Sequence, residues 1–288
     1  MVRVWFITGA SSSLGRALIK VILRNGDIAV ATLRNPSDLA DLSTPANADR
    51  LLVLIGDVTQ PEDISAVFTK TIEAFGHCDI VFNSAGRGLI SEAESTTEKE
   101  ARKMFEVNFW GAANVSREAI RVFREANPPG CGGRLLNVSS GAGFVGGPAV
   151  GYYSARSLEG LTESLAKEMN PAWNVKISIL EPGQFAVHPR TRNNVVLPTI
   201  PAYKDPALPS QKMRQWFAAA PMVDDVNLVA ERIFEFAGIV EPPLRWPIGA
   251  ATVAGIRMKV NHVAEELDAF ESWSNDLTVR RTQSDSRS

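Results

Sequence analysis

Short runs of apolar, mostly β-branched residues alternate along this chain with stretches whose apolar positions recur at helical spacing. The runs are VWFIT (4–8), IAVATL (28–33), LLVLI (51–55), DIVFN (79–83), GRLLNVSS (133–140), VKISILE (175–181) and LRWPI (244–248). Short, mostly apolar runs of this kind mark strands buried on both faces, as in a parallel sheet. Windows 14–24, 62–75, 155–169 and 223–236 follow the helical period, and 97–126 predicts two helices or one bent one. Right-handed crossovers wind such a series into an α/β, Rossmann-like doubly wound parallel sheet, with ligands at the carboxyl ends of the strands.

Two segments break the rhythm. Residues 186–222 contain six of the chain's 17 prolines and little periodicity, which predicts an extended lid over a substrate. Phe185 and Trp216 are its candidate substrate contacts. The polar end of the chain predicts a disordered tail over 276–288 after a single domain of residues 1–275.

Composition narrows the function classes. With 288 residues there is room for a substantial core, and a formal net charge of −2 gives no electrostatic case for nucleic acid or an anionic membrane. No apolar run approaches the roughly 20 residues needed to cross a bilayer. The two cysteines, Cys78 and Cys131, suit a reducing compartment, so a cytoplasmic protein is expected. His77, His188 and His262 show no ligand spacing, so no metal is expected. The Val263–Trp273 stripe reads as a packing surface for a subunit contact.

The first run leads straight into TGASSSLG (8–15) and then a helix. A strand, a small-residue turn and a helix start together offer free backbone N–H groups and a positive helix end to a pyrophosphate. Gly9, Leu14 and Gly15 form that turn, and Ser11, Ser12 and Ser13 bring hydroxyl donors. TGASSSLG also resembles the TGxxxGxG turn of the short-chain dehydrogenase/reductase family, and the likeness continues in order. Asp57 and Val58 resemble its adenine-contacting pair. NSAG (83–86) resembles its NNAG strand end, with Asn83, Ala85 and Gly86. Asn108 in FEVNFWG stands where that family keeps a structural and catalytic asparagine. NVSSGAG (137–143) resembles the catalytic-serine segment, and EPG (181–183) the turn carrying Pro182 and Gly183. The likeness covers roughly residues 1–185, extends to PPLRWPIG (242–249), and is similar in wording to fungal reductases of secondary metabolism. It implies a homodimer or homotetramer acting on a small molecule. Arg34 stands where NADH-preferring relatives carry an acid, so NADP(H) is the expected cofactor.

The resemblance also exposes a gap. In that family a tyrosine gives the proton, a serine 13 residues earlier holds the carbonyl oxygen, and a lysine one turn after the tyrosine lowers the phenol's pKa from about 10. By that count Ser140 pairs with Tyr153, with Ser139 and Tyr152 as neighbours. The family continues YxASK, a short link and ALEG, whereas this chain reads YSARSLEG (153–160), two residues short. Anchoring on Tyr153 puts Ser157 at the lysine position, and anchoring on the downstream helix puts Ala155 there. Only Tyr152 with Arg156 restores a cation four residues on. Removing two residues from a helix turns its downstream part by about 160°, so the loss must fall on the first turn, beside the nicotinamide. Ser13, Ser84, Arg87, Gln184 and Val187 are further departures. The expectation is an NADPH-dependent carbonyl reductase or alcohol dehydrogenase. The alternatives are an isomerase, dehydratase or cyclase on the same scaffold, or a binding protein without catalysis.

Overall fold

A computed structural model describes residues 2–155, 157–184, 194–219, 224–275 and 277. Arg156, Phe185, Val187, His188 and nearly all of the proposed 276–288 tail lie outside the described residues, as do 185–193 and 220–223 of the lid region.

The chain begins with β1 (Val4–Thr8), α1 (Ser13–Arg24), β2 (Ile28–Leu33), β3 (Leu51–Ile55), α2 (Pro61–Phe75) and β4 (Ile80–Asn83). A short β5 (Gly88–Ile90) leads to α3 (Glu98–Phe105), a π-helical turn at Glu106–Gly111, and α4 (Ala112–Glu125). Then come β6 (Gly133–Val138), α5 (Gly141–Val145), α6 (Gly151–Ser154), α7 (Leu158–Glu168) and β7 (Val175–Pro182). The last elements are β8 (Asn194–Val196), α8 (Pro209–Ala219), α9 (Val226–Phe236), β9 (Arg245–Ile248) and α10 (Ala250–Phe270).

Seven strands form one parallel sheet in the order β3-β2-β1-β4-β6-β7-β9. This is the doubly wound sheet the strand pattern predicts, and its order reverses at β1, between β2 and β4. The core lies on both faces. Trp5 and Ile7 of β1 pack with Leu18 and Ile22 of α1 and Ile233 of α9. Val4 and Phe6 point the other way, onto Phe68 of α2 and Val115 and Phe123 of α4. All four β1 side chains are fully buried, so the first strand is anchored on both sides just where it enters the Gly9 turn.

The described part of the lid region, 194–219, holds regular elements. β8 pairs in parallel with β5, and α8 starts with Pro209, whose fixed φ suits a first helical turn. No helix among the described residues is long and apolar enough to cross a membrane.

Candidate active site

The turn after β1 needs glycine at two places. Gly9 has φ +67°, and a Cβ there would stand 2.9 Å from the Ser84 carbonyl oxygen. A Cβ on Gly15 would lie 2.4 Å from the carbonyl oxygen of Gly9, so α1 can start this close to the sheet only without a side chain. Ser12 caps α1, its hydroxyl accepting from the Gly15 N–H at 3.0 Å. That hydroxyl accepts there and keeps its own O–H to donate, while Leu14 turns its side chain into the core. The Ser13 and Leu14 amides, with no partner inside the helix, and the part-exposed Ser11, Ser12 and Ser13 hydroxyls are what the turn offers an anion. The cradle fits a dinucleotide pyrophosphate: its backbone is bare, and the positive end of α1 faces it. Ser13 takes the place of the family's middle glycine and adds a hydroxyl there.

Arg34, at the end of β2, is exposed. Its neighbour in this corner, Arg16, is already committed, donating to the Asp38 carbonyl at 2.5 Å and pairing with Asp41 at 2.5 Å. After β3, Asp57 accepts from the N–H and hydroxyl of Thr59 at 2.9 Å each, which fixes the turn. Val58 is buried against Gly111, where a Cβ would stand 2.6 Å from its Cγ2.

Asn83 behaves differently from its expected role as a cofactor contact. Its side chain is 2% exposed and spent internally. It accepts from the Thr8 hydroxyl at 3.1 Å and donates to the Ala112 carbonyl at 3.0 Å and to Asn137 at 2.8 Å. Asn137 passes the chain on to Ser116 and Thr162 at 3.1 and 2.9 Å. Thr8 meanwhile accepts from the amides of Ser84 and Ala85. This buried polar line crosses the carboxyl edge of β1, β4 and β6, and it sets the backbone of 84–86 against the Gly9 turn. What NSAG presents at the Gly9 turn is therefore backbone, with Asn83 as its support.

Asn108 sits in the π-helical turn, the bend that the 97–126 pattern anticipates. Its side chain accepts from the Arg87 N–H at 2.8 Å and donates to the Arg87 carbonyl at 2.9 Å. The Arg87 guanidinium turns away to Glu100, 2.7 Å off.

The two serines separate cleanly. Ser139 is buried and donates to Glu159 at 2.5 Å. Ser140 caps α5, accepting from the Ala142 N–H at 3.3 Å and donating to the Pro182 carbonyl at 3.4 Å. Both Ser140 bonds are long, so its hydroxyl is the one that can turn to another oxygen.

The two-residue deficit appears as a broken helix. α6 stops at Ser154, Ala155 takes ψ 53°, and α7 begins at Leu158. Arg156, the cation expected one turn after Tyr152, lies outside the described residues. Tyr153 meets Met104, Asn108, Phe109 and Ala155 around a small gap that Tyr152 also lines. Tyr152 further reaches an open cleft of about 460 Å³ beside Ala101, Arg102, Phe105, Glu106 and Trp110. Trp216 lines neither; it is 39% exposed and packs edge-on to Phe217.

Behind Ser139 lies a cluster whose pairing spacing does not reveal. Arg245 of β9 reaches Glu159 at 2.8 Å and Glu181 at 2.6 Å through one nitrogen, and Glu163 at 3.4 Å through another. Glu181 is fully buried, and its Oε2 has no hydrogen-bond partner among the described residues. Burial, with the neighbouring Glu159 charge, raises its carboxyl above the usual value against the pull of Arg245. The EPG, LEG and PLR wordings hold these residues, but nothing local marks them as neighbours.

The short chain dehydrogenase family model matches residues 3–195 of this sequence, the span that holds the Gly9 turn, Asn108, Ser140 and Tyr153. The chain belongs to that family. Among relatives of this short chain dehydrogenase are an uncharacterized oxidoreductase, C162.03, of Schizosaccharomyces pombe and the oxidoreductase calM of Penicillium decumbens. Each is 32% identical over 94% of this chain, covering 90% and 91% of the relative. A short-chain dehydrogenase of Streptomyces avermitilis superposes with a TM-score of 0.86 at 31% identity, covering 96% of this chain and 98% of the other. The chain is thus an oxidoreductase of this family, and its relatives include the fungal proteins its wording resembles.

Proposed function

We propose that this short chain dehydrogenase reduces a carbonyl on a fairly apolar small molecule, such as a secondary metabolite, with NADPH as its cofactor. The observation carrying the reading is the cradle in which Gly9 faces the 84–86 backbone, with an exposed guanidinium, Arg34, at the adjoining strand end. A guanidinium there suits a 2′-phosphate bidentately and offers nothing specific to a bare 2′-hydroxyl.

The bound cofactor would supply the hydride. Ser140 turns from its long bonds to donate to the substrate oxygen. Tyr153, 13 residues on and beside Asn108, gives that oxygen its proton. The sequence has no lysine one turn after Tyr153, and reduction, which asks the phenol only to give its proton, is the direction we infer. Asn108 holds the π-helical turn and the Arg87 backbone in place. The setting we infer is the cytosol, as a homo-oligomer.

The test is a titration of NADPH and NADH against intrinsic fluorescence, then an assay of ketones and aldehydes through loss of nicotinamide absorbance. NADPH should bind more tightly. Tyr153→Phe should cut turnover by about 10²–10⁴ with NADPH binding unchanged, while Tyr152→Phe keeps most of it. Conversion without nicotinamide oxidation would favour an isomerase, dehydratase or cyclase. Failure to bind either nucleotide would leave a binding role.

A further inference from the structure

The last helix of the fold is anchored at one end only. Of the 21 residues of α10, only Thr252, in its first turn, is buried, and every residue from Asn261 to Phe270 is exposed. A helical segment of about 12–15 residues is marginal in water on its own, so this one needs a packing partner. Its large apolar residues, Met258 apart, fall on one seam: Val253, Ile256, Val260, Val263, Leu267 and Phe270, alternating steps of three and four. That is the a/d pattern of helices that pack knobs into holes. Five of the six are markedly exposed, from Val263 at 36% and Val253 at 38% to Phe270 at 59% and Leu267 at 67%.

The charges along α10 choose the occupant. Arg257 and Lys259 stand in its first half, and Glu265, Glu266 and Asp268 in its second, with Glu271 just beyond. A parallel partner would place like against like. A second copy running antiparallel places the basic half of each helix beside the acidic half of the other. In that arrangement the seam interleaves without a gap: Val260 opposite Val263, Ile256 opposite Leu267 and Val253 opposite Phe270. Lys259 then lies beside Glu266 of the other copy, twice by symmetry. Phe270 would come down at the base of the other helix, where Val253 and Val145 of α5 are each 38% exposed. Seam, charge and landing site agree on one two-fold geometry.

We propose that α10 is a homodimerisation element, pairing antiparallel with α10 of a second copy. The surplus of carboxylates on its exposed end disfavours an anionic lipid surface as the alternative occupant. The inference does not rest on the reductase reading, since none of these residues belongs to the cofactor or substrate site.

The full chain in solution tests it by sedimentation velocity and light scattering. The wild type should have an even multiple of the 31.3 kDa chain mass. Val260→Lys with Leu267→Lys should halve that mass while the circular dichroism spectrum is kept. Lys259→Glu and Glu266→Lys should each weaken association about tenfold, and their combination should restore it. A monomeric wild type overturns the proposal. So does a mass unchanged by the seam variant, or charge reversals without mutual rescue. Flotation of a monomeric wild type with vesicles of neutral or anionic lipid would assign the face to membranes instead.

Discussion

Arg214 of α8 holds both carboxylate oxygens of Glu92, Nε on Oε1 at 2.8 Å and Nη2 on Oε2 at 2.7 Å, joining residues 122 apart in sequence. The Glu92 side chain is 3% exposed and that of Arg214 13%. Arg214 also donates to the Leu197 carbonyl at 2.9 Å, just after β8. One buried carboxylate, just past β5, thus ties β8 and α8 to the body.

This bond makes the seating of α8 pH-dependent. The hydrogen bond from Arg214 outweighs burial and holds the Glu92 carboxyl below its ordinary 4.5. A lowered folded value stabilises fully above the unfolded value and is lost as pH falls through the folded one. The protection of the α8 amides against hydrogen exchange, taken relative to their intrinsic rates at each pH, should therefore be high at pH 6 and fall as pH drops through the lowered Glu92 value. Glu92→Gln should give the low protection at pH 6 as well, since it removes the charge and points an amide at a guanidinium. If Glu92→Gln leaves exchange unaltered, the pair does not anchor α8.

Arg34 should decide nucleotide preference. Its guanidinium is the exposed cation at the end of β2, while Arg16 is occupied by Asp38 and Asp41. Arg34→Ala should raise the Kd for NADPH about tenfold or more, the worth of a charge-assisted pair, and leave that for NADH nearly unchanged. Arg34→Asp should move preference toward NADH. Equal losses for both nucleotides would place the effect in the turn itself and not in the 2′-phosphate.

Arg245 stands between buried acids, and removing it should cost most where those acids are charged. In Arg245→Met, Glu159 and Glu181 would face each other with no cation, and breaking a buried pair from one side costs about 3–5 kcal/mol. Arg245 is 29% exposed at its side chain, which places the cost at the lower end. Glu181 already sits above its usual value through burial and Glu159. Without the guanidinium it would rise further and take up a proton in mildly acid solution, which relieves the strain. Denaturant unfolding should accordingly show a larger stability difference from wild type at pH 8 than at pH 5. Ser139, bonded to Glu159, would carry part of that loss to the neighbouring Ser140.

The sheet is legible in the sequence because its strands are short, mostly apolar runs, nearly unbroken in β1, β2, β3 and β4, a signal that burial on both faces imposes locally. The Gly9 turn and Asn108 are legible too, because a left-handed φ and a helical bend need particular residues at particular places. β5 and β8 are not: each has three residues, and their pairing joins Gly88 to Asn194 across a long stretch of chain. α8 hides behind prolines, one of which begins it. The Glu159–Arg245–Glu181 cluster spans 86 and 64 residues, so each member looks like a solitary charge. Asn83 stands in its motif like a ligand contact, whereas the buried line from Thr8 to Thr162 claims its side chain. The stripe at 263–273 is visible in the pattern, yet its full length back to Val253 emerges only once α10 is seen to leave the body.

The break between α6 and α7 gives the sharpest test of how this site works. α6 carries Tyr152 and Tyr153 on a single turn, and the backbone leaves the helix at Ala155 before α7 buries Leu158 and Glu159. Glu159 is fixed by Ser139 and Arg245, so α7 cannot rotate to meet the tyrosines; the deficit must remain where it is. Replacing Ser157 by Lys-Phe-Ala adds two residues, restores about 200° of helical turn and puts a lysine four residues after Tyr153. The ammonium would then lie on the tyrosine's helix face and stabilise its phenolate. Reduction of a ketone at pH 7 should speed up about tenfold or more, and alcohol oxidation should gain more than reduction, because it is the direction that needs a base. The rising limb of the oxidation pH profile should also move toward neutrality. The same insertion with alanine in place of lysine repairs the helix without the charge and should leave that limb where it was. If the alanine version gains as much as the lysine version, helix continuity and not charge is what the site lacks.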